Sequence, residues 1–137
     1  MTVEDAVHKG LEALNRHDAA GYAATYAAGA VVHDPQYGEP LKGRDKVRAD
    51  IQDFFRAFPD LKGSLRSLLV NEDTYAAEFE MTGTHLGPIP TPDGVEIPAS
   101  NKPVRFGGVS IGRVDRNGEI AEERRYYDLA SLLAQVS

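Results

Sequence analysis

The side chains best suited to proton transfer lie at the ends of predicted strands. Asp128 follows the segment 122–127, in which period-two alternation places Arg124, Tyr126 and Asp128 on one side. His85 ends the alternating run 75–85 on its apolar side. Burial in an apolar pocket raises the pKa of a carboxyl group and makes it a better base near neutral pH. The pattern therefore indicates proton abstraction next to a carbonyl, with Asp128, His85 and either His33 or Asp34 as the candidate groups.

Each candidate also has a purely structural interpretation. Asp128 precedes the apolar run 129–133 and could be the N-cap of a terminal helix. Asp34 precedes Pro35, where an aspartate commonly forms a turn. His85 could be a hydrogen-bonded core histidine, and Tyr126 either packs or donates to a developing oxyanion. These alternatives stay open on the pattern alone.

The first part of the chain is predicted to be helical. Thr2 and Asp5 have the spacing of a capping box, and the apolar stripe after them predicts a helix that stops near residues 15–17. Asp18 is the expected N-cap of a second helix, in which alanines and tyrosines recur at helical spacing until Gly29. A short strand over residues 30–34 follows.

A third helix is predicted over residues 44–58, because Pro59 ends its apolar stripe. The second half of the chain alternates in the manner of strands. The predicted strands span residues 65–70, 75–85, 104–114 and 119–127. The helices lie early in the chain and the long antiparallel strands lie late. This order predicts a single α+β domain over residues 1–137, with helices on one face of a curved, mostly antiparallel sheet.

The segment 86–103 contains five prolines, at positions 88, 90, 92, 98 and 103, and is too irregular to form one element. A loop this long in a small domain is usually functional or disordered. We expect it to cover the entrance of a pocket.

Composition excludes several classes of partner. The net charge of −6 disfavours nucleic acid and acidic membrane surfaces. The chain has no cysteine, its first residues carry acids where a signal peptide carries bases, and no apolar run approaches the length of a membrane span. A cytoplasmic protein is the expectation.

Cofactor motifs are missing from the sequence. The pair Gly107-Gly108 lies in a predicted strand and no Gly-Lys-Ser/Thr follows, so a nucleotide loop is not indicated. The four histidines show no metal-ligand spacing, and no Gly-x-Ser-x-Gly is present. The interpretation that remains is acid/base chemistry without cofactor or metal.

Short motifs spread over nearly the whole chain resemble the SnoaL-like ester cyclases of the nuclear transport factor 2-like superfamily. They are His33-Asp34-Pro35, Lys42-Gly43-Arg44-Asp45, Ala57-Phe58-Pro59-Asp60-Leu61, Gly83-Thr84-His85-Leu86-Gly87, Pro90-Thr91-Pro92-Asp93-Gly94 and Gly118-Glu119-Ile120 leading to Asp128 and Leu132-Leu133-Ala134-Gln135. The resemblance implies a cone-shaped α+β barrel with an open apolar pocket, commonly a homodimer and without cofactor. It also implies that Asp128 is the acid/base of an intramolecular aldol closure, in which an enolate attacks a second carbonyl.

The same superfamily offers two other assignments. The segment 32–35 resembles the strand of ketosteroid isomerase that carries its general base, which would fall on Asp34. The oxyanion-hole tyrosine of that isomerase would fall near Gly10 and its protonated acid near Ser110, so two of its three parts are missing. Epoxide hydrolases of this fold use two acids bridged by an arginine, an arrangement that Arg124 with Asp128 and Asp34 could at most imitate.

The predicted function is therefore a cyclase-type enzyme acting on a small apolar molecule that contains a carbonyl. Asp128 is the expected acid/base, His85 orients the substrate or polarises a carbonyl, and Asp34 is the alternative base. The residues expected to line the substrate pocket are His33, Tyr126, Phe79, Met81, Tyr26 and Phe55. A ketosteroid-isomerase-like enzyme and a non-catalytic binder of small apolar ligands are the alternatives.

Overall fold

The computed structural model describes residues 2–91 and 93–137, so Met1 and Pro92, the latter part of the predicted loop, lie outside the described residues. The helices are α1 (Val3–Asn15), α2 (Ala19–Ala24), α3 (Arg44–Ala57) and α4 (Leu129–Gln135). The strands are β1 (Tyr26–His33), β2 (Leu41–Lys42), β3 (Lys62–Asn71), β4 (Thr74–Thr84), β5 (Ile89–Pro90), β6 (Glu96–Ile97), β7 (Pro103–Val114) and β8 (Ile120–Tyr127).

Six of these strands form one sheet in the order β2-β1-β8-β7-β4-β3. Its neighbouring strands are antiparallel except for β1 and β8, which run parallel. The helices α1, α2 and α3 pack on one face of this sheet. The predicted α+β class with a curved, mostly antiparallel sheet is confirmed.

The ends of α1 and α3 follow the predicted signals. The Asp5 backbone N–H donates to Thr2 Oγ1 at 3.1 Å, and the Thr2 N–H donates to Asp5 Oδ2 at 3.0 Å, which completes a capping box. The helix α3 ends at Ala57, two residues before Pro59. Both helices turn small and apolar residues towards the sheet, and α3 also buries Asp50.

The predicted second helix was too long. It ends at Ala24 instead of Gly29, and β1 begins at Tyr26. The reason is tertiary, because Tyr26 pairs with Ile120 of β8 and the Ile120 N–H donates to the Thr25 carbonyl at 2.9 Å. Alanines have no strong preference against a strand once such a partner is present.

The segment 86–103 is irregular apart from the short pair of β5 and β6. Its start is held against the end of α3, since the N–H groups of Leu86 and Gly87 both donate to the Ala57 carbonyl. A Cβ atom on Gly87 would lie 2.1 Å from the Arg56 carbonyl oxygen, so only glycine fits this close approach. Among the described residues, no helix is long and apolar enough to cross a membrane.

Candidate active site

A cavity of about 130 Å³ lies between the helices and the covered face of the sheet. Its walls are mainly apolar and aromatic; they include Leu11, Leu14, Ile51, Phe54, Leu65, Phe79, Met81 and Phe106. An apolar cavity of roughly 150 Å³ is enough to hold a benzene molecule. The space therefore suits a compact ring compound.

One end of the cavity is polar and is organised by Arg125. Its Nη1 donates to Asp34 Oδ2 at 3.0 Å and to Asp50 Oδ2 at 2.9 Å, while its Nε donates to Glu123 Oε1 at 2.9 Å. The side chain of Arg125 is 11% exposed, and the three carboxylates are exposed by 5 to 6%. Four ionisable groups thus share one nearly dry space.

Tyrosine hydroxyls supply further donors to these three carboxylates. Tyr127 donates to Asp34 at 2.5 Å, and Tyr37 donates to Asp50 at 2.6 Å. Glu123 accepts two such bonds, from Tyr26 at 2.7 Å and from Tyr75 at 2.5 Å. These bonds are short because the acceptors are carboxylates.

Asp34 reaches the cavity because it continues the inward row of β1. Ala30 and Val32 are buried at alternate positions of that strand, and Asp34 is the next position of the row. Its Oδ1 also accepts the Gln36 N–H at 2.9 Å, which shapes the turn at Pro35. The turn interpretation and the pocket interpretation of Asp34 are therefore compatible.

Asp50 lies on the buried side of α3, with Val47 and Ile51 beside it and Phe54 one turn further on. Burial raises the pKa of the Asp50 carboxyl, and the charge of Asp34 adds to this effect, whereas Arg125 opposes it. Asp50 therefore binds a proton more readily than an exposed aspartate does.

Small residues on β7, the neighbour of β8, leave space for the large side chains of the polar cluster. Gly108, Ser110 and Gly112 are the small residues of β7 that pair with Tyr127, Arg125 and Glu123 of β8. A Cβ atom on Gly112 would lie 2.4 Å from the hydroxyl oxygen of Tyr75. Glycine at this position lets the Tyr75 ring reach Glu123.

The prediction that Asp128 faces a pocket was wrong. The inward row of β8 is Glu123, Arg125 and Tyr127, so the row that contains Tyr126 and Asp128 faces outward. Asp128 is exposed and caps α4, because its Oδ1 accepts the Ser131 N–H at 3.0 Å. Since successive side chains of a strand point to opposite faces, an error of one residue reverses every assignment.

His85 is buried, as its position on β4 predicted, but it does not line the cavity. Its Nδ1 accepts the Ser100 N–H at 3.1 Å and lies 2.9 Å from Ser100 Oγ, and its ring lies beside Phe58. Its backbone bonds to Asn101 and Lys102. His85 therefore joins the end of β4 to the segment before β7.

The other predicted pocket residues divide into two groups. Tyr26, Phe79 and Met81 line the cavity. His33 and Tyr126 do not; both are exposed and flank an open groove on the other side of β1 and β8. Phe55 also lies outside the cavity, stacked on His17 with the ring centres 4.5 Å apart, and its neighbour Phe54 takes the inward position.

Several members of the polar cluster were missed by the sequence reasoning, namely Asp50, Glu123, Arg125, Tyr127, Tyr37 and Tyr75. Asp50 had a usable signal, because a carboxylate at helical spacing from Val47 and Phe54 lies within an apolar stripe. Glu123, Arg125 and Tyr127 lie on β8, and the sequence would have indicated them if the other face of that strand had been predicted to point inward.

The substrate was expected to enter beneath the segment 86–103. Ile89 and Pro90 line a small cleft beside α4 that shares Gln36, Asp50 and Phe54 with the cavity. Gln36 Nε2 donates to the Pro90 carbonyl at 3.0 Å. The segment therefore meets the polar end of the cavity through Gln36.

The model of one protein family, SnoaL-like polyketide cyclase, matches residues 4–136 of this chain. The chain belongs to that family. No curated protein matches its sequence. The cyclase resemblance noted in the sequence is thus confirmed at the level of the family.

Solved structures show the same fold. TsrD from Streptomyces laurentii superposes with a TM-score of 0.83 at 24% identity, covering 98% of this chain and 94% of that one. IdmH from Streptomyces antibioticus gives 0.78 at 25% identity, covering 99% of both chains. A protein of ketosteroid isomerase-like fold from Catenulispora acidiphila, solved with trimethylamine, has a TM-score of 0.80 at 18% identity. The match covers 99% of this chain and 94% of that one. The cone-shaped fold of the nuclear transport factor 2-like superfamily is therefore confirmed.

Proposed function

We propose that this SnoaL-like protein is a cofactor-independent acid/base enzyme that removes a proton next to a carbonyl of a compact apolar substrate. The observation that carries the proposal is the position of Asp34, whose carboxylate lies at the polar end of an otherwise apolar cavity. We assign the role of general base to Asp34. Asp128 takes no part, because its carboxylate caps α4 outside the cavity.

The environment of Asp34 supports this role. Arg125 and Tyr127 donate to its carboxylate from one side, which fixes its orientation. The rest of the cavity wall is mainly apolar, so a substrate bound there displaces water from the inner side of the base. A base within hydrogen-bond reach of an acidic C–H suits general-base catalysis.

In the proposed reaction the C–H bond α to the carbonyl breaks and its proton goes to Asp34. The electron pair moves onto the carbonyl oxygen and forms an enolate. In a substrate with a second carbonyl, the enolate carbon attacks that carbonyl and closes a ring. In an isomerase the same intermediate is protonated at another carbon, so both reactions share Asp34.

A second candidate function is hydrolysis of a strained ring by an activated water molecule. It is favoured by one observation, the bridging of two carboxylates by a single guanidinium nitrogen, Arg125 Nη1, between Asp34 and Asp50. In the sequence, such an arrangement of two acids and an arginine was considered only for Arg124 with Asp128 and Asp34. One carboxylate would take a proton from water while the other donates to the opening epoxide oxygen.

The two candidates are distinguished by two small ring compounds of suitable size. Cyclohexanone in D₂O reports α-proton exchange by NMR, and cyclohexene oxide reports diol formation. We expect exchange with the wild-type protein, loss of at least about a hundredfold with Asp34→Asn, and no change with Asp128→Asn. Diol formation without exchange would favour the hydrolase, and binding of both probes without either reaction would leave a non-catalytic binder.

We also propose that the protein is a homodimer, as its family resemblance implies. The outer face of the sheet supports this, because Leu69 and Tyr126 are 71% and 54% exposed there. Sedimentation equilibrium of the wild-type protein and of Tyr126→Lys tests the proposal. A monomeric wild-type protein at micromolar concentration would contradict it.

A further inference from the structure

We propose that Asp50 is the proton donor of this site and acts opposite the base Asp34, with Arg125 between them. This inference rests on the proposed function. Asp50 lines the same cavity as Asp34, and its Oδ2 accepts from the same guanidinium nitrogen, at 2.9 Å, that lies 3.0 Å from Asp34 Oδ2. A substrate atom that reaches Asp34 therefore lies close to Asp50.

Charge balance requires the cluster to hold a proton. Among the described residues that line the cavity, Arg125 is the one cation, whereas Asp34, Asp50 and Glu123 are all acidic. With every group ionised, the cluster would carry two uncompensated negative charges in a nearly dry space. Unpaired buried carboxylates are neutralised by binding protons, because their desolvation is not offset.

Hydrogen-bond donors show which carboxylate holds the proton. Asp34 accepts from Arg125, Tyr127 and the Gln36 N–H. Glu123 likewise accepts three bonds, from Arg125, Tyr26 and Tyr75. Within the described part of the chain, Asp50 accepts two, from Arg125 and Tyr37. The carboxylate with the fewest donors is the least stabilised as an anion, and burial raises the pKa of Asp50 accordingly.

The ionisable groups that face Asp50 come from four parts of the fold. Arg125 and Tyr127 approach from β8, Asp34 and Tyr37 from the segment after β1, Tyr22 from α2, and Asp53 lies on α3 itself. Arg125 is the only cation of this set, and two carboxylates oppose it. The surroundings of Asp50 therefore favour its neutral form.

The proton inventory of the proposed reaction then balances. Asp34 takes the proton from carbon while Asp50 gives its proton to the carbonyl oxygen, so an enol forms and the total charge of the cluster is unchanged. During ring closure the enol O–H returns its proton to Asp50, and the second carbonyl oxygen receives the proton held by Asp34. Both aspartates end in their starting states, and no oxidant or reductant is needed.

This pairing avoids a free enolate beside Glu123. Asp34 is neutral once it has taken the proton from carbon, so an anionic oxygen would face one carboxylate, Glu123, and one guanidinium, Arg125. Protonation by Asp50 removes the charge as it develops. The same reasoning restricts the substrate to uncharged carbonyl compounds.

The first test is carboxyl ¹³C NMR of the wild-type protein, with Asp50 assigned through its own backbone amide. We expect the Asp50 carboxyl to titrate at a higher pH than the aspartate of a model peptide. Titration of Asp50 in the ordinary range of an aspartate would overturn the proposal. This readout does not require any variant to fold.

The second test is the pH profile of cyclohexanone exchange. The wild-type rate should fall at high pH, where Asp50 loses its proton. Asp50→Asn should lower the rate about a hundredfold or more and remove this alkaline decline. The control Asp45→Asn should change neither, because Asp45 is exposed in the first turn of α3. An active wild-type protein whose alkaline decline survives in Asp50→Asn overturns the donor role alone. A wild-type protein without exchange overturns the proposed function and the donor role together.

Discussion

Arg125 Nη1 lies 3.0 Å from Asp34 Oδ2, although 91 residues separate the two in sequence. The pairing depends on the parallel neighbours β1 and β8, since Asp34 follows the last residue of β1 and Arg125 lies near the end of β8. Each residue alone would be a costly buried charge. Together with Asp50 and Glu123 they form the polar end of the cavity.

Removal of Arg125 should destabilise the protein more than any other single change in the cluster. Arg125→Met leaves three buried carboxylates without a cation, and we expect a loss of at least about 3 kcal/mol in the free energy of unfolding. Urea unfolding followed by circular dichroism measures it. The matched control is Arg124→Met, because the side chain of Arg124 is 43% exposed on the same strand and pairs with Glu122 at 2.8 Å. A similar effect of both substitutions would contradict the buried cluster.

Asp128 should affect stability without affecting activity. Asp128→Ala removes the N-cap of α4 and should cost about 1 kcal/mol, while Asp128→Ser keeps a capping oxygen and should be nearly neutral. Thermal unfolding of the two variants measures the difference. Loss of cyclohexanone exchange in Asp128→Ser would return this residue to the active site.

The stability of the protein should depend on Asp50 and on pH. Because the folded pKa is raised, the folded state binds more protons than the unfolded state at pH values above about 4. Ionising Asp50 in the folded protein therefore lowers the free energy of unfolding. This cost is absent below the pKa that Asp50 has in the unfolded chain, and it grows as pH rises through the pKa that Asp50 has in the folded protein. We therefore expect the free energy of unfolding of Asp50→Asn to exceed that of the wild type by about 1 kcal/mol at pH 7 and to equal it near pH 4. Urea unfolding at both pH values checks this, and a less stable variant at pH 7 would show that attraction to Arg125 prevails.

His85 should make the fold sensitive to acid. Burial lowers its folded pKa, so the folded state binds fewer protons than the unfolded state as pH falls below about 6.5. The stability that neutral His85 contributes is fully present above about pH 6.5. It is lost as pH falls towards the pKa of His85 in the folded protein, by up to about 1.4 kcal/mol per pH unit. Unfolding of wild type and His85→Gln between pH 5 and 7.5 should show a steeper decline for the wild type. His8→Gln is the control, since His8 is exposed on α1.

Gly112 should tolerate no side chain. Gly112→Ala places a methyl group against the Tyr75 ring, which must move away from Glu123. We expect a loss of about 1 to 3 kcal/mol from overpacking and a lower exchange rate. The control is Gly29→Ala on β1, where a Cβ atom would meet no heavy atom within 4 Å. Equal thermal stability of the two variants would contradict the packing.

Local signals were sufficient for most of the secondary structure. The capping box at Thr2 and Asp5, the stripe of α3 and the alternation of β4 are properties of neighbouring residues, so the sequence predicts them. Motifs spread over the chain also identified the family. Asp34 was recognised as a candidate because its position after Val32 is likewise local.

The composition of the polar cluster depended on long-range contacts. The face of β8 is set by its register with β7 and β1, and the alternating segment around Asp128 is compatible with either face until those partners are known. Tyr26 joined a strand instead of a helix for the same reason. The local sequence thus determined which segments become helices and strands, whereas tertiary pairing decided that Arg125 brings Asp34, Asp50 and Glu123 together and that Asp128 stays outside.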